Sequence, residues 1–108
     1  MSVKIDDNTV QITESDVRNR YIPLRHVIQM FPPDCLGGDN GSTDPGALVT
    51  IHLDGVKEPV VTDLYKTKKT PRKTGTVREF YERGNAKGGS HLFIEKLAPR
   101  EFRITVIS

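Results

Sequence analysis

Cysteine occurs once, at Cys35, and tryptophan not at all. One cysteine excludes an internal disulfide, and neither a CxxC pair nor a Cys/His cluster is present to hold a metal. No apolar run approaches the roughly 20 residues that span a bilayer. The opening MSVKIDDNTV lacks the apolar stretch of a secretory signal, so a cytoplasmic protein with no membrane partner is expected. A strong charge of either sign is also missing. Lys and Arg number 16 against 14 Asp and Glu, and a net +2 names no partner by itself. What is there is 108 residues, 35% hydrophobic and 28% charged, enough for one globular domain spanning 1–108.

The distribution of charge says more than its sum. Residues 1–17 carry Lys4 against Asp6, Asp7, Glu14 and Asp16, whereas 18–31 carry Arg18, Arg20 and Arg25 and no acid. Residues 32–63 carry Asp34, Asp39, Asp44, Asp54, Glu58 and Asp63 against Lys57. Residues 64–78 then carry Lys66, Lys68, Lys69, Arg72, Lys73 and Arg78 without an acid. Two basic islands in an acidic chain would make one positive face if folding joins them, and such a face attracts polyanions. Taken alone, one lysine-rich loop is more simply a solvated connection.

Residues 8–13 (NTVQIT) alternate Val10 and Ile12 with polar neighbours and predict a strand. Residues 13–19 are polar and predict a connection. Pro23 followed by Leu24, Val27, Ile28 and Phe31 predicts an α-helix over 23–31, stopped by Pro32 and Pro33. Residues 34–46 hold four of the nine glycines and predict a long loop. Val49, Ile51 and Leu53, the Asp54-Gly55 turn and Val60 to Tyr65 predict a hairpin over 47–65. Residues 66–73 (KTKKTPRK) contain no apolar side chain. A short helix follows over 74–83, capped by Thr74 or Thr76, with Val77, Phe80 and Tyr81 inward and Gly84 at its end. His91 to Leu97 and Phe102 to Ile107 predict two more strands, with Phe102, Ile104 and Val106 on the inner face. The fold class expected is mainly β: a small, mostly antiparallel barrel with two short helices at its ends.

Catalytic constellations are missing. His26, His52 and His91 have no metal-ligand spacing. The 39–44 segment lacks the glycine position and closing Glu of a calcium loop. Gly37 and Gly41 are not followed by Lys-Ser/Thr as in a phosphate-cradling loop. Cys35 has no neighbouring base in sequence. No lysine has Asp or Glu two residues before it, so the Asp/Glu-x-Lys signature of metal-dependent nucleases is absent. A chain that binds without cutting, and without a cofactor or small-molecule substrate, is expected.

Both basic islands lie between a strand and a helix, and in a small barrel such connections can emerge at one rim. Arg and Asn side chains read guanine and adenine edges in the major groove, while Lys and Thr suit phosphates. Arg18, Asn19 and Arg20 form one candidate contact set. Tyr65, Lys66, Lys68, Lys69, Arg72 and Lys73 form the other. Asp16 and Asp63 could accept from a cytosine amino group or orient a neighbouring arginine. A small barrel binding RNA or a protein partner is the alternative, although few aromatics are available to stack on single-stranded bases. A fragment of an enzyme whose catalytic domain lies elsewhere is a third reading.

The run Ile12-Thr13-Glu14-Ser15-Asp16-Val17-Arg18-Asn19-Arg20-Tyr21-Ile22-Pro23-Leu24, with Phe31-Pro32 after it, resembles the opening of the B3 DNA-binding domain. Residues 74–84 resemble that family's second helix, with Phe80 at its buried aromatic, and Lys87-Gly88 the turn behind it. The resemblance covers roughly residues 9–107. The 36–40 loop and Thr62-Asp63 fit the bacterial branch, the recognition domains of type II restriction endonucleases. The Trp-Asn element of the plant branch is replaced here by Lys66-Thr67-Lys68-Lys69, and Gly89 stands where an acid is usual. The resemblance implies a seven-stranded open pseudobarrel whose two arms grip double-stranded DNA in the major groove. By position the arms are residues 15–21 and 63–73, and a fused or associated nuclease domain would be a partner.

Overall fold

Alternating apolar side chains lay down the sheet. The computed structural model describes residues 8–40 and 43–107. Its strands are β1 (Thr9–Gln11), β2 (Leu36–Gly37), β3 (Val49–Leu53), β4 (Val60–Thr62), β5 (Leu64–Tyr65), β6 (His91–Ala98) and β7 (Glu101–Val106). Five of them form one sheet in the order β1-β6-β7-β3-β4, while β2 and β5 pair separately. The β1–β6, β6–β7 and β3–β4 pairs are antiparallel, and β3–β7 and β2–β5 are parallel. The chain is therefore mainly β, with strands dominating two short helices and two 3-10 turns.

The large sheet stays open, with β1 and β4 at its edges, so the expected closure into a barrel is not made by strand pairing. The break has a local cause. The return strand of the 47–65 hairpin stops at Thr62, Asp63 turns its carboxylate inward, and the chain resumes as β5 beside β2. The Asp54-Gly55 turn forms as expected, with Gly55 in the left-handed region at φ 87°.

One face of the sheet carries the core. Val49, Ile51, Leu53, Leu92, Ile94, Phe102 and Ile104 are buried along three strands. Their period of two places every second side chain inward. Phe31 stacks on Phe102 with ring centroids 4.1 Å apart, fixing the 22–31 segment against β7. Val106, expected inward, is only half-buried at the end of β7, although it packs against the core. Gly41, Ser42 and Ser108 lie outside the described residues, as does the 1–7 segment.

The helices depart from expectation in two places. Residues 14–19, expected as a connection, form the helix α1 (Glu14–Asn19). A capping box starts it: Asp16 N–H donates to Thr13 Oγ1 at 3.1 Å, and Thr13 N–H donates to Asp16 Oδ2 at 2.9 Å. Only Val17 of α1 leans on the core, so its other side chains face outward. The expected α-helix over 23–31 is a kinked 3-10 helix, Arg25–Met30, with Val27 at φ −120° and ψ 15°. Its apolar spacing survives, since Leu24, Val27 and Phe31 are all buried. Leu24 N–H, at the N-cap, donates to the Lys69 carbonyl at 3.1 Å and ties the start of this segment to the 65–70 loop. The helix α2 (Val77–Arg83) buries Val77, Phe80 and Tyr81 as expected. Thr76 stands at its N-cap, but its hydroxyl makes no capping bond.

Candidate nucleic-acid interface

Residues 62–73 form an arm held at its base by a charge pair. Beyond β5, Tyr65 N–H donates to Thr70 O at 2.9 Å and Lys69 N–H donates to Tyr65 O at 2.8 Å, closing a tight loop over 65–70. Its base is the Asp63–Arg72 pair. Arg72 Nε donates to Asp63 Oδ1 at 2.8 Å and a terminal nitrogen donates to Oδ2 at 2.9 Å, the bidentate geometry natural to a guanidinium and a carboxylate. The same guanidinium donates to the carbonyls of Gly38 at 2.6 Å and Asp39 at 3.4 Å. Asp63 Oδ2 also accepts from Gly46 N–H at 2.8 Å. Side-chain exposure is 6% for Asp63 and 17% for Arg72, so this clasp is largely shielded from water.

Electrostatics follow from that geometry. The Arg72 hydrogen bonds hold the Asp63 carboxyl below the ordinary carboxylate range, against a smaller opposing effect of burial. Reciprocally, Asp63 raises Arg72. The clasp also explains the glycine-rich segment. A Cβ on Gly37 would lie 2.4 Å from Asp63 Oδ2 and 2.5 Å from Gly46 N, and one on Gly46 would lie 2.4 Å from Cys35 O. These glycines permit backbones to cross beside the ion pair; they do not cradle a phosphate.

Arg72 is thus a positioning residue whose donors face inward, not an outward contact. Tyr65 lies beneath it, with the guanidinium 4.4 Å and the Lys68 ammonium 5.4 Å from the ring centroid. Lys69 folds back, its Nζ donating to Lys66 O at 2.6 Å. Lys66, Lys68 and Lys73 are exposed and make no ion pair among the described residues. Asp63, left open between cytosine acceptor and arginine holder by the sequence, orients Arg72. Asp16 does neither; it caps α1.

The first arm is the end of α1. Arg18, Asn19 and Arg20 are all exposed. Asn19 Nδ2 donates to Ser15 Oγ at 3.1 Å one turn back, leaving its carbonyl oxygen outward. The Arg18 and Arg20 side chains have no partner among the described residues. Arg20 adopts the left-handed conformation, φ 62°, that ends the helix.

The structure brings these two arms together. The Lys69 carbonyl accepts from Leu24 N–H, and the Thr67 carbonyl accepts from an Arg25 terminal nitrogen at 2.9 Å. Leu24 is four residues beyond Arg20, so at most about 14 Å of chain separates Arg20 from that junction. Tyr81 OH donates to Tyr21 O and clamps the same segment to α2. Burial raises the Tyr81 phenol well above its ordinary value, so it stays a donor.

Backbone strain coincides with this region. Among the described residues, left-handed φ occurs outside glycine at Arg20, Lys69 and Asn85. Each such placement costs on the order of 1 kcal/mol or more for a side chain with a Cβ. Glycine would relieve it at Arg20 and Lys69, yet both positions carry a cation.

Sequence reasoning passed over three positions. Arg25 ties the second arm to the first. Arg78 and Lys87 share with Arg18 and Arg20 a groove of about 820 Å³ between α1 and α2. Arg78 was countable in the second basic island, but Lys87 sits in a charge-balanced stretch and becomes visible only when α2 is packed against α1.

The other candidate centres stay structural. Cys35 is fully buried and burial pushes its thiol up to about 11, so it is a neutral thiol near pH 7. His52 lies 2.7 Å from Glu101 across the parallel β3–β7 pair. Among the described residues no three His, Cys, Asp or Glu side chains converge on a metal-sized site. No helix among the described residues is long and apolar enough to cross a membrane. No protein-family model matches this chain, and neither does any curated protein.

Proposed function

We propose that the chain is a sequence-specific double-stranded DNA-binding module with no catalytic machinery of its own. In this reading the open sheet and the β2–β5 pair together act as a seven-stranded pseudobarrel of the B3 type. Arg18 and Asn19 contact base edges in the major groove, Arg20 contacts base or phosphate, and Lys66, Lys68 and Lys73 contact phosphates. Lys69 and Tyr65 shape the arm's tip, and Arg72 holds its base. The resemblance to bacterial B3-like domains makes the recognition domain of a restriction endonuclease, or of a related DNA-processing protein, the parent class.

The observation that carries this reading is the junction of two basic arms through Lys69 O to Leu24 N–H and Thr67 O to Arg25. Outward cations gathered on a fixed frame suit a rigid polyanion. Duplex is favoured over single strands because few aromatic faces are open. Tyr21 is the one aromatic among the exposed large hydrophobic residues, and Tyr65 lies under Arg72.

Salt tests the electrostatic half. With about three or four cations on phosphates, log affinity for duplex DNA should fall against log salt with a slope of roughly −3 to −4. Fluorescence anisotropy with a labelled duplex from 50 to 300 mM salt reads it. A slope near zero, or equal affinity for single-stranded competitor, would remove the proposal.

A further inference from the structure

The groove between α1 and α2 lies beside the first arm, and neither arm as defined from the sequence includes its far wall. Arg18 and Arg20 line one side, and Arg78, Glu82, Asn85 and Lys87 line the other. Four cations face one acid. That acid is already matched, since Arg78 Nε donates to Glu82 Oε1 at 2.9 Å within one turn of α2. The pairing uses Nε and leaves both terminal nitrogens of Arg78 without a partner among the described residues. Asn85, left-handed at φ 52°, reverses the chain after α2 and brings Lys87 to the same wall as Arg78.

We infer that this groove is a phosphate-binding site for the backbone of the bound nucleic acid, extending the first arm's footprint across α2. A concave surface lined by one sign of charge concentrates field and counter-ions. An arginine fork held by its own Nε presents a fixed pair of donors, which suits a phosphate oxygen pair better than a mobile lysine does. The groove is also wide, which fits a passing backbone. This inference rests on the duplex reading above for the source of the phosphate. Its chemistry, phosphate oxygens held between Arg20, Arg78 and Lys87, could also be met by a free phosphorylated compound.

Two variants and two ligands separate these outcomes. Arg78→Gln with Lys87→Gln should weaken specific and random duplexes alike and make the salt slope shallower by about two. The deficit should narrow about tenfold between 50 and 200 mM salt. Glu82→Gln should act in the opposite direction and tighten binding at low salt. All three positions are exposed, so thermal melts should stay near that of the unaltered protein. If duplex binds but the double variant keeps its affinity and slope, the groove inference is overturned and the two-arm reading stands. If the unaltered protein binds no duplex, the two-arm reading falls, and pyrophosphate decides the groove separately. Amide shifts at Asn85 to Lys87 on titrating pyrophosphate, abolished in the double variant, would support a free phosphorylated ligand; no shifts would end the inference.

Discussion

Asp63→Ala should lower stability by about 3 kcal/mol, the low end for breaking one partner of a buried pair. Three donors lose their acceptor at once: Arg72 Nε, one Arg72 terminal nitrogen and Gly46 N–H. For a domain of this size that is a drop in melting temperature on the order of 15 °C. Gly37→Ala should act on the same clasp from the other side. Its Cβ would arrive 2.4 Å from Asp63 Oδ2 and 2.8 Å from an Arg72 terminal nitrogen, with the Gly46 backbone behind it unable to yield. Both variants should also bind DNA less tightly while still folded, because the arm that carries Lys66, Lys68 and Lys73 has lost its base. Acid should reproduce the effect. Asp63 is lowered from the ordinary 3.8, so its contribution is present in full above that value. It is lost as pH falls from there toward the lower folded value. Thermal melts from pH 7 down to pH 2.5 check this. An Asp63→Ala protein that melts with the unaltered one at pH 7, or that keeps the same acid dependence, would show the clasp to be dispensable.

The largest effect on binding should come from neutralising the second arm. Changing Lys66, Lys68 and Lys73 together to Gln removes three exposed point charges, of which only Lys68 touches another side chain, the Tyr65 ring. The slope against salt should become shallower by about three. The advantage of the unaltered protein should therefore shrink about 40-fold between 50 and 200 mM salt. Random and preferred duplexes should suffer equally, since lysine on a flexible stem supplies charge without geometry. Arg18→Ala should behave differently. Standing on α1, whose start is fixed by a capping box, Arg18 can hold a base edge, and its loss should cost about 1–3 kcal/mol on the preferred duplex alone. Anisotropy titrations of both variants on both duplexes compare them. Equal losses for Arg18→Ala on the two duplexes would make Arg18 a phosphate contact.

The strands of the large sheet were legible because each needed only a period of two and a turn signal, whereas β2 falls within residues expected as a loop. Val49, Ile51 and Leu53 before Asp54-Gly55, and Phe102 and Ile104 after Pro99, suffice to mark buried faces. Helix α1 was equally written in the chain, as Thr13 followed three residues later by Asp16. Periodicity does not mark it, because Val17 is its one apolar side chain and a single residue makes no apolar stripe. The 3-10 geometry of Arg25–Met30 could not be read locally. The spacing of Leu24, Val27, Ile28 and Phe31 suits an α-helix, and no residue in it signals the kink at Val27.

The candidate site divides in the same way. Charge counting found both arms, because unpaired cations cluster in sequence as well as in space. It could not tell Arg72 from its neighbours, since what separates Arg72 from Lys68 is a carboxylate nine residues earlier and two loop carbonyls. Nor could it see why Gly37 and Gly46 are glycine, because the atoms that crowd them come from Asp63, Arg72 and Cys35.

Selection of bound duplexes from a random DNA pool tests sequence-specific recognition most directly. The unaltered protein should enrich one short motif, and Arg18→Ala should lose preference at one position of it while keeping the rest. A pool that stays random although the protein binds it would contradict base reading by the first arm. A pool that yields no bound duplex at all would contradict DNA binding itself.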